Sequence, residues 1–377
     1  MRIVILGLSV TSSWGNGHAT TYRSLIRGLA ARGHQVLFLE RDLPWYAANR
    51  DDPHPAGAAT EIYESFEDAI ARFEGPVSRA DLVIVGSFVP DGARIGHWVT
   101  TVARGATAFY DIDTPVTLEA LATGNHEYVS PELIRKYGLY LSFTGGPTLR
   151  IIEQKYGAGM ARALYCSVDL SLYRPHRTEP QWDLGYLGTY SADRQPVLEG
   201  LLLEPARRWR EGRFAVAGPQ YPDEIEWPAN VKRAIHLSPR EHPGFYGAQR
   251  FTLNVTRDAM KRAGYSPSVR LFEAGACATP VISDYWEGLD SFLEIGKEIL
   301  VAANGDDTLR HLNDLPENDR LAVGAAARKR ILTAHTPEHR ATQLEDYWQE
   351  WSDAQEPTAA ASATRPATRA MSSEVPL

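Results

Sequence analysis

The segment from residue 257 to residue 283 combines positive charges with a helix start, a pairing that suits a phosphorylated ligand. Pro267 or Ser268 is predicted to open a helix, so the backbone N–H groups of Ser268 and Val269 would have no partner within it. Such N–H groups and the helix dipole favour a bound diphosphate. Three cations of the segment can add charge-assisted hydrogen bonds: Arg257, Lys261 and Arg270. The segment therefore predicts a diphosphate site, with the loop residues Tyr265 and Ser266 beside it.

Glu273 is placed about a turn and a half inside this predicted helix. The two oxygens of its carboxylate could accept one hydrogen bond from each ribose hydroxyl of a nucleotide. Five residues separate Glu273 from Ser268, which corresponds to a rise of roughly 7.5 Å, comparable to the distance between the diphosphate and the ribose hydroxyls. The alternative is an ordinary amphipathic helix with Glu273 on its solvated face. The residues alone leave both interpretations open.

A second candidate site lies in the loop after the first apolar run, where Gly15 and Gly17 precede His18. Glycines between a buried strand and a helix let the backbone approach a ligand closely. The spacing is not the dinucleotide pattern G-x-G-x-x-G, although Glu40 ends the second predicted strand. The alternatives are a simple tight turn for the glycines and a capping or core role for His18.

The third candidate is the pair Asp111 and Asp113, which follows a predicted strand. Two carboxylates at this spacing could hold a divalent cation that bridges a diphosphate. The alternative, which we favour, is a polar contact from Asp113 to a sugar or to an acceptor. We therefore predict no metal site.

Apolar runs and helical periodicity predict two consecutive α/β domains. The predicted strands cover residues 3–6, 35–39, 82–85, 106–110, 183–187, 213–217, 251–255 and 280–283, and the predicted helices cover residues 20–32, 196–209, 268–278 and 337–351. The predicted division is a Rossmann-like domain at 1–170, a second at 171–336, a helix at 337–352 that returns to the first domain, and a disordered tail at 353–377 rich in Ala, Thr, Ser and Pro.

The composition excludes several classes of protein. With 44% hydrophobic residues among 377, the chain can bury two cores, and the net charge of −8 argues against nucleic acid as a partner. Its two cysteines, Cys166 and Cys277, form no C-x-x-C pair, which argues against a disulfide scaffold and a thiolate zinc site. The short apolar run at the first residues of the chain indicates a strand and not a signal peptide. No apolar run approaches the roughly 18 residues that a membrane span needs. We therefore expect a cytoplasmic protein.

The segment F-E-A-G-A-C-A-T-P-V-I at residues 272–282 resembles the nucleotide-sugar signature of retaining GT-B glycosyltransferases of the family-4 type. A second similarity is V-D-L-S-L-Y-R-P at residues 168–175, and the stretches at 110–115, 185–190 and 266–270 resemble the CgeB-like (spore-maturation-protein-like) subgroup. The resemblance implies two Rossmann-like domains facing a central cleft. It also implies transfer of a sugar, with retention, from a nucleotide-diphosphate sugar to an acceptor that the sequence does not identify.

The resemblance also implies roles for single residues. Glu273 would bind the ribose of the donor, and Arg194 would bind its diphosphate. His236 and Leu237 would lie beside the nucleotide base. The first Glu of the family's paired-Glu pattern, which is associated with the transferred sugar, is replaced by Tyr265. GT-B enzymes work without an essential metal, so no cofactor is expected beyond the donor itself.

In the expected mechanism, catalytic residues act on two sides of the transferred sugar: at the leaving diphosphate and at the acceptor. Negative charge develops on the nucleoside diphosphate as it departs, so Arg257 is assigned a catalytic role there, and His18 and Asp113 are assigned catalytic roles opposite it. Three other functions remain open: a nucleotide-sugar epimerase of the same fold, a nicotinamide-dependent oxidoreductase that uses the loop at 15–17, and a sugar-nucleotide binder without activity.

Overall fold

The computed structural model describes residues 1–15, 17–176 and 178–355, and these residues form two α/β units. Each unit contains one parallel sheet with helices packed on it. The tail that the sequence predicts to be disordered lies outside the described residues from residue 356 onward.

The first unit contains a seven-stranded sheet in the order β3-β2-β1-β4-β5-β6-β7. Its strands are β1 (Arg2–Gly7), β2 (Gln35–Arg41), β3 (Ala59–Tyr63), β4 (Leu82–Gly86), β5 (Ala106–Asp111), β6 (Leu139–Ser142) and β7 (Ala161–Ala163). Its helices are α1 (His18–Ala31), α2 (Pro44–Ala47), α3 (Phe66–Arg79), α4 (Gly92–Val102), α5 (Thr114–Ala122), α6 (Pro131–Ile134) and α7 (Pro147–Tyr156).

The second unit contains a six-stranded sheet in the order β10-β9-β8-β11-β12-β13. Its strands are β8 (Trp182–Leu187), β9 (Phe214–Ala217), β10 (Val231–Ala234), β11 (Gln249–Asn254), β12 (Val281–Ser283) and β13 (Leu300–Val301). The remaining helices are α8 (Gln195–Leu198), α9 (Glu204–Arg208), α10 (His242–Gly247), α11 (Asp258–Ala263), α12 (Val269–Ala276), α13 (Gly305–Asp314), α14 (Glu317–Ala334) and α15 (Pro337–Gln355).

Both sheets follow the doubly wound plan, in which the first strand of each unit lies in the middle and the strand order reverses beside it. Ligands of such sheets bind outside the carboxyl ends of the strands at this reversal. In the first unit the reversal lies at β1, where Leu6 pairs with Leu39 on one side and with Val85 on the other. In the second unit it lies at β8, which pairs with β9 and β11.

The central strands form where the sequence is continuously apolar, because they are buried on both faces. In β4 every residue is buried, and in β1 every residue after Arg2 is buried. All eight strands expected from the sequence are confirmed. The helix expected at 196–209 is interrupted: a π-helical turn, Glu199–Leu203, separates α8 from α9 and ends just before Pro205, which has no N–H to donate.

Helix α15 lies along α1 and the first sheet, so the end of the described chain packs on the first unit. The indole of Trp348 donates to the carbonyl of Asp81 at 3.1 Å, and the hydroxyl of Tyr347 donates to the carbonyl of Ala163 at 2.9 Å. Glu345 pairs with Arg32 at 2.6 Å and lies 2.5 Å from His34. The helix extends to Gln355, three residues beyond the predicted end at 352.

Two further sequence expectations concern the cysteines and the membrane. Cys166 and Cys277 are both buried and both free. None of the helices in the described part of the chain is long and apolar enough to span a bilayer.

Candidate active site

A cleft separates the two units, and its floor is a cavity of about 420 Å³, called here the main cavity. The β1–α1 loop and the start of α1 supply one wall through Ser13, Gly15, Gly17 and Thr20. The second unit supplies the other wall from the ends of β8, β9 and β10 and from the start of α12. The cavity thus lies where the strand order of both sheets reverses, as expected for a ligand site of this fold.

Three arginines line the main cavity, Arg194, Arg257 and Arg270, against one acidic side chain, Glu273, among the described residues. Burial lowers the pKa of Arg194, and the nearby charges of Arg270 and Arg257 lower it further. The Nε atom of Arg194 is buried and has no partner in the described part of the chain, while its Nη2 donates to the carbonyl of Thr189 at 2.5 Å. An anion in the cavity would relieve this repulsion, so the wall is suited to bind one.

Arg270 is held in place by neutral partners. Its Nε donates to the carbonyl of Leu187 at 2.7 Å, its Nη1 donates to Oδ1 of Asn254 at 2.7 Å, and its guanidinium lies over the ring of Tyr186. Because none of these partners is charged, the positive charge of Arg270 remains available to a ligand.

The start of helix α12 meets the main cavity at Val269 and Arg270, its first two residues. The first N–H groups of an α-helix have no partner within the helix and attract anions. On the same wall, Gly218 has φ +152° and lies against the carbonyl of Gly188, where a Cβ atom would overlap it. A phosphate can therefore bind at the start of α12, next to Arg270.

Glu273 is buried on the floor of the main cavity, so the alternative of a solvated helix face is wrong. The hydroxyl of Tyr173 donates to Oε1 at 3.0 Å, and the hydroxyl of Tyr246 donates to Oε2 at 2.9 Å. His242 lies 3.1 Å from the Tyr173 hydroxyl and also lines the cavity. A carboxylate has about four acceptor positions, so Glu273 retains capacity for two further hydroxyl groups.

His236 and Leu237 also line the main cavity, directly after β10. The carbonyl of Leu237 lies 3.2 Å from Nε2 of His242, which connects this end of the cavity to Glu273 through Tyr173. The order along the wall is therefore arginines, then Glu273, then His236 and Leu237.

The β1–α1 loop is fixed by Glu40, the penultimate residue of β2, which is completely buried. Its carboxylate accepts hydrogen bonds from the N–H groups of Val10 and Thr11 at 2.6 and 2.9 Å, and from the hydroxyls of Ser9 and Thr11 at 3.2 and 2.7 Å. Gly15, farther along the loop, has φ +67°, a conformation that favours glycine. Because the carboxylate is already occupied by four donors, Glu40 is not available to the ribose of a dinucleotide.

A smaller cavity of about 150 Å³, called here the side chamber, adjoins the main cavity and shares Gly17, Arg257 and Val269 with it. His18 and Asp113 lie on its wall, and Nε2 of His18 is 2.8 Å from Oδ2 of Asp113. Nδ1 of His18 is buried without a partner in the described residues. Burial would raise the pKa of Asp113, but the hydrogen bond from His18 and the charges of His18 and Arg257 together lower it. The pair therefore holds the imidazole and the Asp113 carboxylate in fixed positions on the wall of the chamber.

Asp111 does not face the cleft. Its carboxylate is fully buried behind Asp113 and accepts hydrogen bonds from Thr117 Oγ1 at 2.6 Å and from the Tyr140 hydroxyl at 2.5 Å. Burial raises its pKa to about 7. The two carboxylates have different partners, Thr117 and Tyr140 for Asp111 and His18 for Asp113, and the absence of a metal site stays a prediction. Among the residues that the structure describes, no cluster of three or more His, Cys, Asp or Glu side chains could hold a metal ion.

Two of the expected site residues line neither cavity. The ammonium of Lys261 is bound to Oδ2 of Asp284 at 3.1 Å, because Asp284 is a buried carboxylate that needs a counter-charge. The ring of Tyr265 packs against Gly146 and Gly288, and its carbonyl accepts the N–H of Gly145 at 3.0 Å. Tyr265 thus joins the first unit to the second and does not contact the cavities.

The other expected residues are brought together. The main cavity holds Gly15, Gly17, Arg194, His236, Leu237, Arg257, Val269, Arg270 and Glu273, and the side chamber holds Gly17, His18, Asp113, Arg257, Ser266, Ser268 and Val269. Sequence reasoning missed the residues that hold Glu273, namely Tyr173, His242 and Tyr246. Tyr173 could have been found, because it is the aromatic residue of the V-D-x-x-x-Y-x-P stretch at 168–175. No sequence signal marked Tyr246 or His242.

Comparison with known proteins gives a family match for part of the chain. Residues 194–346 match the family model described as glycosyl transferase-like. This match covers most of the second unit, including Arg194, His236, Arg270 and Glu273. None of the curated proteins matches the sequence.

Several solved structures share the fold of the whole chain. Sucrose-phosphate synthase from Thermosynechococcus elongatus has a TM-score of 0.68 at 14% identity, covering 94% of this chain and 100% of that chain. Anabaena HepE, solved with UDP and glucose, has a TM-score of 0.69 at 12% identity, covering 93% and 100%. An alpha-glucosyltransferase solved with UDP-glucose and DNA containing an abasic site has a TM-score of 0.70 at 11% identity, covering 93% and 99%.

These likenesses extend over both units and not over the second alone. They confirm the α/β architecture of two sheets facing a cleft that the sequence predicted. The protein therefore has the fold of the GT-B glycosyltransferases, and its second unit is similar to the glycosyl transferase-like family.

Proposed function

We propose that the protein transfers a sugar from a nucleotide-diphosphate sugar to a hydroxyl group of an acceptor. The observation that carries this proposal is the main cavity, where three arginines and the start of α12 surround one buried carboxylate. A diphosphate needs the cations and N–H groups, and a ribose needs the carboxylate. The fold and the family match support the same activity. Two neighbours were solved with UDP or UDP-glucose, which supports a nucleotide-sugar donor here.

The donor is proposed to lie along the second-unit wall of the main cavity, with its diphosphate, ribose and base following one another as they do in the molecule. The diphosphate binds Val269, Arg194 and Arg270, the ribose hydroxyls bind Glu273, and the base lies near His236 and Leu237. This order places the transferred sugar at the opening of the side chamber, next to Arg257. Tyr173 and Tyr246 hold the carboxylate of Glu273 in one rotamer, so its free acceptor positions are fixed before the ribose arrives.

The chemistry then depends on charge at the leaving group. As the bond to the sugar breaks, negative charge grows on the diphosphate, and the fixed positive groups around it stabilise the transition state more than the ground state. Arg257 lines both cavities and so reaches the bond that breaks. Because the two units form opposite walls of the cleft, their approach would exclude water from this point.

We propose retention of configuration, on the resemblance to the family-4 type and its CgeB-like subgroup. In that case the leaving phosphate takes the proton of the attacking hydroxyl, and the His18–Asp113 pair orients the sugar. Inversion is the second candidate, because the Asp113 carboxylate lines the chamber, is held 2.8 Å from Nε2 of His18, and could take that proton itself. The anomeric configuration of the product, measured by proton NMR before it equilibrates, decides between the two.

We further propose that the enzyme acts in the cytoplasm and needs neither a metal ion nor another cofactor. The three arginines supply the positive charge that a divalent cation supplies at other diphosphate sites. Transfer should therefore persist in excess EDTA, with no gain from added Mg²⁺ or Mn²⁺. Loss of transfer in EDTA and its return with Mn²⁺ would contradict this proposal.

The experiment for the donor site is thermal unfolding with UDP-, GDP- and dTDP-sugars. At a concentration of 100 times its dissociation constant, the right donor adds about 2.7 kcal/mol to the free energy of unfolding. Arg194→Ala should remove most of this stabilisation. Arg310→Ala serves as the control, since Arg310 is an exposed arginine of α13 paired with Asp307. If no nucleotide or nucleotide sugar stabilises the protein, the proposed assignment of the main cavity as the donor site is contradicted.

A further inference from the structure

The side chamber is the place where the transferred sugar must lie if the proposed function holds. The donor's diphosphate is proposed to bind at Val269, and the chamber opens from the main cavity at Val269, Arg257 and Gly17. Its volume of about 150 Å³ corresponds to about five water molecules, which is room for one sugar ring and not for two.

The wall of this chamber is mostly apolar. Ile112, Pro115 and Val116 line it from the first unit, together with Phe143, and Met260 and Pro267 line it from the second. A sugar ring carries hydroxyl groups on most of its carbons. A hydroxyl that is buried against such a wall without a partner loses its hydrogen bonds to water and gains none.

Few polar side chains of the described residues face the chamber, and most of these are already engaged. The hydroxyl of Thr21 donates to the carbonyl of Gly17 at 3.1 Å, and the hydroxyl of Ser268 donates to Oδ1 of Asn254 at 2.7 Å. The hydroxyl of Ser266 accepts from Thr144 at 2.9 Å.

The ionisable side chains that line the chamber, among the described residues, are His18, Asp113 and Arg257, and Arg257 also lines the main cavity. Lys261 is bound to Asp284, and Tyr265 packs between Gly146 and Gly288. Neither Lys261 nor Tyr265 therefore presents a polar group to the chamber. The apolar part of the chamber wall provides few hydrogen-bond partners for a hydroxyl group of the sugar.

We infer that the sugar is a 6-deoxyhexose, whose exocyclic carbon is a methyl group. This inference rests on the proposed function. Among the deoxy positions of a hexose, only the one at C6 produces a methyl group, and a methyl group gains free energy when it is buried against side chains such as Val116 and Met260. The hydroxyl groups that remain are directed to His18, Asp113 and Arg257.

The test uses three pairs of donors that differ by one oxygen atom: UDP-glucose and UDP-6-deoxyglucose, GDP-mannose and GDP-6-deoxymannose, and dTDP-glucose and dTDP-6-deoxyglucose. Calorimetry gives the affinity of each for the full chain, with UDP, GDP and dTDP measured alone. In the pair with the right base we expect the 6-deoxy donor to bind about tenfold to a hundredfold more tightly, the range over which an apolar pocket rejects an added hydroxyl.

Variants of the wall connect the preference to the chamber. Val116→Thr and Met260→Gln each add a polar partner, one on each side, and at least one should reduce the preference severalfold. Val197→Thr is the matched control, because Val197 is a half-buried valine of α8 outside both cavities.

The outcomes separate this inference from the proposed function. Equal affinity within every pair, or tighter binding of the hydroxylated donors, overturns the 6-deoxy inference while bound UDP, GDP or dTDP still supports a donor site. A preference that neither variant changes overturns the placement of the sugar in the chamber. If none of the nucleotides or donors binds, the proposed function fails, and this inference fails with it.

Discussion

The hydroxyl of Tyr246 donates a 2.9 Å hydrogen bond to Oε2 of Glu273, in a position that is buried on the floor of the main cavity. Tyr173 holds the other carboxylate oxygen at 3.0 Å. The carboxylate is thereby fixed with its remaining acceptor positions free. A substitution of Glu273 must affect both the ligand and the two tyrosines, and this determines how its role can be tested.

We predict that Glu273→Gln weakens binding of the donor about tenfold, because one charge-assisted bond to the ribose is lost, at about 1.4 kcal/mol per decade. Glu273→Ala should weaken it tenfold to a hundredfold. It should also lower the free energy of unfolding by about 1–3 kcal/mol, since two buried tyrosine hydroxyls lose their acceptor. Calorimetry and urea unfolding measure the two effects. Glu298→Gln is the control, a buried carboxylate paired with Arg330 outside the cavities. Unchanged donor affinity in Glu273→Gln would remove Glu273 from the ribose site.

The sequence predicted the central strands and the helix of Glu273 because both carry strong local patterns. Short, continuous apolar runs such as Leu82–Gly86 are typical of buried strands, and small residues are typical of a helix packed closely on a sheet. Five strands were not predicted: β3, β6, β7, β10 and β13. Four of them form the edges of the two sheets and are partly exposed, and β6 lies next to an edge. All five are only two to five residues long, so they carry little periodicity, even where the strand is buried, as in β6.

Contacts between residues far apart in the sequence explain why some site residues were placed wrongly. Lys261 stands in a row of cations in the sequence, but its partner Asp284 is 23 positions away, after β12. Asp111 and Asp113 are close in the sequence, yet one faces Tyr140 and the other His18. No local pattern could separate them, because the direction of each side chain depends on residues 29 and 95 positions away.

We predict that Glu40→Gln raises the KM for the donor several-fold and changes kcat less. Glu40 contacts no cavity, and it acts by holding the loop that carries Ser13, Gly15 and Gly17 into the cleft. The neutral amide can still accept the N–H groups of Val10 and Thr11 but loses the charge that strengthens these bonds. Steady-state kinetics with a varied donor gives the split between KM and kcat. A change in kcat alone, with normal KM, would contradict a positioning role, and Glu298→Gln again serves as the control.

We predict that Asp113→Asn lowers kcat about a hundredfold, because a sugar that the His18–Asp113 pair no longer orients is misplaced relative to the leaving diphosphate. The amide lacks the negative charge that strengthens the 2.8 Å hydrogen bond to Nε2 of His18. Affinity for the free nucleoside diphosphate should stay normal, because Asp113 lines the side chamber and not the main cavity. His18→Ala should cause a similar loss, and the double variant should lose little more than either single one. Independent, additive losses would show that the two residues do not act as a pair.

The last prediction concerns Asp111, whose pKa is raised to about 7 by its burial. A carboxyl group with a folded pKa above its unfolded value binds its proton more tightly in the folded state, so its contribution to stability falls as the pH rises from about 4 to about 7. Asp111→Asn keeps the shape and can still bond to Thr117 and Tyr140, but it carries no charge. The variant should therefore be more stable than the parent at pH 8, by up to about 4 kcal/mol at 1.36 kcal/mol per pKa unit, and the gain should disappear near pH 4.

Urea unfolding of both proteins between pH 4.5 and 8.5 measures the difference in the free energy of unfolding. Asp183→Asn serves as the control, since Asp183 is a buried carboxylate paired with Arg250. A stability difference that stays the same across this range would mean that Asp111 titrates at its ordinary pKa.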